Sequence, residues 1–195
     1  MLSNKEAEGI FALRDIFLKT NFNRILTKSQ KRFSNMIIRK VLNNEGGCVA
    51  AEFSRQQGKT EVVGGTNNFL TTHYFPLTKI FNLPHTPFFN TGFFAPQYEQ
   101  AKTDFDRVKD QLDILAKKEF DLKLKESNGN TITITSKSMP LRQTFCFSAS
   151  PTSNTESKTL NLIFLEEAHG LLDEKVDNTI SPMGAHTNAL KVFIG

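Results

Sequence analysis

Two short runs in this 195-residue sequence carry side chains suited to phosphate chemistry. The first ends in Gly58-Lys59-Thr60 and is preceded by Phe53-Ser54-Arg55-Gln56-Gln57. In the phosphate-loop pattern GxxxxGK followed by Ser or Thr, the glycine lets backbone amides approach an anion. The lysine reaches the β- and γ-oxygens, and the hydroxyl serves a Mg²⁺ ion. Here the last three positions are intact, and the usual first glycine is Phe53. The second run, Glu166-Glu167, directly follows four apolar residues at 162–165. At the end of a buried strand, the first acid can hold the Mg²⁺ shell and the second can orient or deprotonate a water. Two glutamates also suit the first turn of a helix, where negative charge meets the helix dipole. Arg55 stands where γ-phosphate charge would develop, as a candidate arginine finger in cis. Its plainer reading is a surface arginine paired to Glu52 or Glu61.

These residues can meet only if a strand delivers each motif to one edge of a sheet. The run CVAAEF at 48–53 reads as a short buried strand before the loop. A helix from about Lys59 to Thr72 should follow. Gly64 and Gly65 each cost it roughly 1 kcal/mol in propensity relative to alanine. They imply close packing against a neighbour or an early helix end. A second buried strand is expected around 92–95, stopped by Pro96. The stretch QYEQAKTDFDRVKDQLDILAKKEF has helical spacing, with Phe105, Val108, Leu112 and Leu115 on one side. Three alternating segments come next, with SNGN as a hairpin turn between the first two. TLNLIFLEEAH and LKVFIG supply the last strands. Upstream, 5–19 and 28–42 are helical. Phe33, Ile37 and Val41 form a stripe in the second, widened by Met36 and Ile38, and Thr27 or Ser29 is its cap. The expected class is α/β with a mostly parallel central sheet flanked by helices and a small β-hairpin insert.

Length suits one domain with a sizeable core, and 38% hydrophobic with 23% charged residues excludes a disordered chain. No apolar run reaches the roughly 18 residues of a membrane span. The opening MLSNKEAEGIFALRDIF is not a signal peptide. Cys48 and Cys146 are outside any CxxC pattern and read as reduced, half-buried thiols. The four histidines have no ligand spacing. Net charge is +4, and residues 1–44 carry nine Lys/Arg against three Asp/Glu. A basic front suits a polyanion such as DNA, and equally a solvated face of two surface helices. The eighteen phenylalanines fall mostly on core positions rather than on a stacking platform for single strands.

SRQQGKT followed by LIFLEEAH resembles the ATPase domain of the large terminase subunit of tailed bacteriophages. That family replaces the first loop glycine and carries Arg-Gln before the GK, so Phe53 fits its variant loop. LTKSQKRFSNMI is similar to the upstream segment in which a glutamine reads the adenine edge, which gives Gln30 that role. FFAPQYEQAKTDFDRV is similar to the second strand and its helix, and SPMGAHTNALKVFIG to the lead into the coupling strand at 192–195. The resemblance covers about residues 25–195. One departure is Glu166, where the family has aspartate; the extra methylene requires a shifted metal shell.

The resemblance implies a P-loop NTPase of the ASCE/RecA-like kind, with a basic helical segment at 1–44 on the adenine side and an ATPase core at 45–195. It implies ATP and Mg²⁺ as cofactors. ATP would be held by Gln30, Ser54, Arg55, Gln56, Gln57, Gly58, Lys59 and Thr60. Mg²⁺ would be held by Thr60 and Glu166, with Glu167, Lys59 and Arg55 catalytic. Coupling residues and a nuclease domain are expected beyond Gly195, and endonuclease activity only from that domain. The implied work is packaging of double-stranded DNA in the cytoplasm of an infected bacterium, at the prohead portal, with no membrane and no secretion. The implied partners are the portal protein and a small terminase subunit, in a homo-oligomeric ring that could be monomeric in isolation. Arg142 is a speculative finger in trans, and the basic segment 28–40 a candidate DNA grip. Two alternatives stay open: a fragment of a DEAH-type helicase or translocase, since His169 follows Glu-Glu-Ala, and a nucleotide-binding module with little hydrolysis.

Overall fold

A computed structural model describes residues 1–54, 58–118, 121–137, 139–150 and 158–195. Two helices lead, α1 (Asn4–Phe22) and α2 (Lys28–Leu42), each opened by a reciprocal cap: Ser3 with Glu6, and Thr27 with Gln30. Then come β1 (Cys48–Ala51), α3 (Lys59–Ile80), β2 (Phe89–Ala95) and α4 (Tyr98–Lys117). The hairpin β3 (Lys123–Ser127) and β4 (Thr131–Thr135) leads to β5 (Arg142–Ser148). The chain closes with β6 (Leu162–Glu166), a series of short helical turns from Ala168 to Thr187, and β7 (Leu190–Ile194).

The seven strands form one sheet in the order β1-β7-β6-β2-β5-β4-β3. The first five are mutually parallel, and only the hairpin runs antiparallel, at one edge. All five parallel strands therefore end at the same edge of the sheet. The connections β1–α3–β2 and β2–α4–β5 advance in one direction, whereas β6–β7 runs back. Right-handed crossovers put the first two connections on one face and the third on the other. The core divides accordingly. Leu162 and Phe164 of β6 pack with the α1–α4 side, while Ile163 and Leu165 pack with Val176, Ile180 and Met183. This is the period-2 alternation of a strand buried on both faces.

Several expectations are refined. α3 continues to Ile80 rather than ending near Thr72, and Gly64 and Gly65 lie inside it. A Cβ on Gly65 would come within 2.8 Å of Leu18 Cδ2 on α1, so the glycine serves close helix packing. Thr27, not Ser29, caps α2. Met36 points outward, 39% exposed, and the buried stripe is completed by Ser34, Ile38 and Leu42. The third alternating segment, β5, is a central strand beside β2 and not part of an insert. Cys48 is exposed and Cys146 buried, so neither is half-buried. Among the described residues, no helix is long and apolar enough to cross a membrane.

Candidate active site

The site lies where β1 and β6 end and α3 begins. After Ala51 the chain keeps contact with the sheet, since the Phe53 N–H donates to the Gly195 carbonyl at 2.9 Å. The Phe53 ring meets Phe33 of α2 edge-on, with centroids 5.3 Å apart. The residue in the first-glycine position thus anchors the loop to the core; such an aromatic pair is worth about 0.5–1.5 kcal/mol beyond its buried area. Gly58 has φ 70° and ψ 35°, the left-handed region that glycine alone enters without penalty. A Cβ there would also lie 2.9 Å from Gln30 Nε2. Gln30 is thereby held at the loop: its Oε1 accepts from the Thr27 N–H at 2.8 Å, and its Nε2 donates to the Gly58 carbonyl at 3.5 Å.

α3 starts at Lys59, which places Lys59 and Thr60 in the first turn of a 22-residue helix. Its free N–H groups and positive dipole end face the same edge. Glu61, in that turn, is paired with Arg24 at 3.2 Å and Arg107 at 3.3 Å. Arg55, Gln56 and Gln57 lie outside the described residues, and Ser54 is exposed.

β6 delivers the acids. Successive strand residues point to opposite faces, so Glu166 and Glu167 could not both serve one partner in extended chain. Glu167 leaves the strand at φ 49° and ψ 50°, an unusual conformation for a non-glycine residue. That turn lets both acids reach one ammonium. Lys59 Nζ lies 3.0 Å from Glu166 Oε2 and 2.8 Å from Glu167 Oε1. Glu166 is only 2% exposed, whereas the Glu167 side chain is 36% exposed and faces solvent. His169 Nε2 stands 3.9 Å from Glu167 Oε2.

A residue that sequence reasoning did not single out completes the cluster. Asp104, on α4, is 4% exposed and meets both Glu166 and the Thr60 hydroxyl. The legible signal was an acid on the apolar stripe of α4, between Ala101 and Val108. Burial, then the neighbouring Asp104, pushes Glu166 up to about 8 despite Lys59. Burial also raises Asp104, only partly offset by hydrogen bonds from Glu166 and Thr60 and by the charge of Lys59. The Lys59 hydrogen bond holds Glu167 below the ordinary carboxylate range. For Lys59, burial works to lower the pKa, but Glu167 and Glu166 outweigh it and the ammonium is held above its usual value. The two acids thus have opposite characters, one buried and proton-retaining, the other exposed and ionised.

The donor set fits a hard divalent cation. Glu166 Oε1 lacks a hydrogen-bond donor among the described residues, and Asp104, which meets Glu166, also meets the Thr60 hydroxyl. Mg²⁺ is typically bound by one or two carboxylates together with substrate phosphates and water. Arg142 has no part in this site. It begins β5, at the opposite edge of the sheet, and is fully buried, with Nη1 donating to the Thr71 carbonyl at 3.0 Å. It cannot reach a neighbouring subunit as a finger.

No protein-family model matches the chain, and no curated protein matches its sequence. Solved structures do. The ATPase domain of the Thermus phage P74-26 large terminase aligns over 93% of this chain and 68% of that one, with a TM-score of 0.68 at 18% identity. The large terminase of bacteriophage HK97 aligns over 97% of this chain, also with a TM-score of 0.68 at 18% identity. A large terminase from a thermophilic bacteriophage in complex with ADP aligns over 87%, with a TM-score of 0.55 at 18% identity. The chain spans 37% of the HK97 protein and 38% of the ADP-bound one. At such identities the likeness is one of architecture: the chain has the α/β fold of phage large terminase ATPase domains.

Proposed function

We propose that the chain is the ATP-hydrolysing motor domain of a phage large terminase, driving double-stranded DNA into a prohead. The observation that carries this reading is the position of Lys59. Its ammonium, at the N-terminus of α3, lies within 3.0 Å of both acids at the end of β6. A glycine in left-handed conformation, a helix N-terminus, a lysine and two strand-end acids at one sheet edge are what phosphoryl transfer to water requires. The fold likeness to large terminases, including one bound to ADP, supports the same reading.

In this reading residues 1–44 form the adenine side and 45–195 the catalytic core. Gln30 reads the adenine edge by exchanging its long bond to Gly58 for the base. The loop from Ser54 through Gln57, with Gly58 and Lys59, wraps the phosphates, and Arg55 faces the γ-phosphate. Triphosphate oxygens draw Lys59 away from the carboxylates. Glu167 is then released as an ionised base next to solvent, where it takes a proton from the attacking water. Thr60 and Glu166 would hold Mg²⁺, which would supply charge neutralisation for the phosphates. The motor acts as a ring at the portal in the host cytoplasm, with the portal protein and a small terminase subunit as partners.

The test is phosphate release with Mg·ATP, with and without duplex DNA, for the wild type and Glu167→Gln. The variant should bind nucleotide as the wild type does and lose at least about a hundredfold in turnover, the loss of a general base. Normal turnover in Glu167→Gln would remove Glu167 from its role. Binding without turnover in the wild type would favour a nucleotide-binding module with little hydrolysis.

A further inference from the structure

Three carboxyl groups gather at the end of β6: Glu166 and Glu167 hold the Lys59 ammonium, and Asp104 comes from another element. Asp104 reaches in from α4. An acid on a buried face is costly unless something compensates it. Lys59 reaches Glu166 and Glu167, while Asp104 Oδ1 and Glu166 Oε1 have no donor among the described residues. Two carboxyl groups side by side present oxygens that a single cation can bridge. Asp104 also meets the Thr60 hydroxyl, another oxygen. Oxygen donors select hard cations over zinc or copper.

We propose that Asp104 is a protein contributor to the divalent-cation site, alongside Glu166 and Thr60, so that α4 is tied to α3 and to β6 through the metal. This deepens the nucleotide-site reading and rests on it for the identity of the metal. It also accounts for glutamate at position 166. The longer side chain lies against Asp104, and the two acids divide a duty that a single shorter acid would otherwise carry. In the structure the Lys59 ammonium occupies Glu166 Oε2. Removing the ammonium should therefore open the site to metal even without nucleotide.

The test uses Mn²⁺ alone, followed by electron paramagnetic resonance, on the wild type, Lys59→Ala, and Lys59→Ala combined with Asp104→Asn. Lys59→Ala should bind Mn²⁺ more tightly than the wild type. Adding Asp104→Asn should weaken that binding by at least about tenfold, since even outer-shell partners of metals cost that much. Urea melts should show that Asp104→Asn keeps the fold, because a neutral amide relieves a buried acid pair. Equal Mn²⁺ affinity with and without Asp104→Asn overturns the proposal, as does failure of Lys59→Ala to bind Mn²⁺. A merely structural Asp104 would shift the melt and leave Mn²⁺ untouched. Titration of ADP into the wild type tests the nucleotide reading separately, because its failure leaves the Mn²⁺ comparison intact.

Discussion

At the scale of single residues, the Glu166 carboxyl is the most constrained group in the site. It is buried against Asp104 and pushed up to about 8 from an ordinary value of 4.5. The unfolded chain gives up this proton near 4.5, whereas the folded chain keeps it to about 8. Between those values the folded state binds more protons, so stability falls as pH rises through the window. In chelator, the urea midpoint of the wild type should drop between pH 5.5 and 8.5 by more than that of Glu166→Gln, which cannot ionise. Identical slopes in the two proteins would show that Glu166 ionises freely in the fold. Of the site residues, Gly58, Lys59, Thr60, Glu166 and Glu167 were legible because their identities and spacing carry the chemistry. The ion pairs that Lys59 makes, and the left-handed turn at Glu167 that permits them, are products of tertiary contact and leave no local mark. Asp104 was half legible: an acid among Ala101, Phe105 and Val108 breaks the apolar pattern, but nothing nearby in sequence says what it faces.

Among the elements, α2 links the core to the site. Ile37 and Ile38 are fully buried, and the same helix carries Gln30 to Gly58 and Phe33 to Phe53. Ile37→Ala should cost about 2–5 kcal/mol, the range for emptying a packed aliphatic site. In a domain of this size that lowers Tm by roughly 5–15 °C in a thermal melt. A change of a degree or two would mean that α2 contributes little to the fold. The helices α1–α4 and the strands were readable from apolar patterning, whereas the short helical turns between Ala168 and Thr187 were not. The errors arose where context overrides pattern. α3 runs past Thr72 because almost every side of it is buried, so its glycines mark close contact with α1 rather than a stop. β5 alternates much as the hairpin strands do, and only its parallel pairing with β2 sets it apart from them.

Over the whole molecule, five parallel strands end at one edge and bring the start of α3, Asp104 of α4 and the acids of β6 together. The excess positive charge lies elsewhere, on residues 1–44. Lys28, Arg32 and Arg39 are on the exposed side of α2, while Lys31 is paired with Asp15 and Lys40 with Glu45. That face is the candidate grip for DNA, and binding through it should weaken steeply with salt. The proposed motor function depends on whether the sheet edge holds a nucleotide. Calorimetric titration of Mg·ATP into the wild type and into Lys59→Ala measures this directly. One saturable site in the wild type, weakened at least about tenfold in Lys59→Ala, is the predicted result, because the variant lacks the charge that faces the β- and γ-oxygens. Equal binding by both proteins, or none by the wild type, would contradict the assignment of this edge as an ATP site.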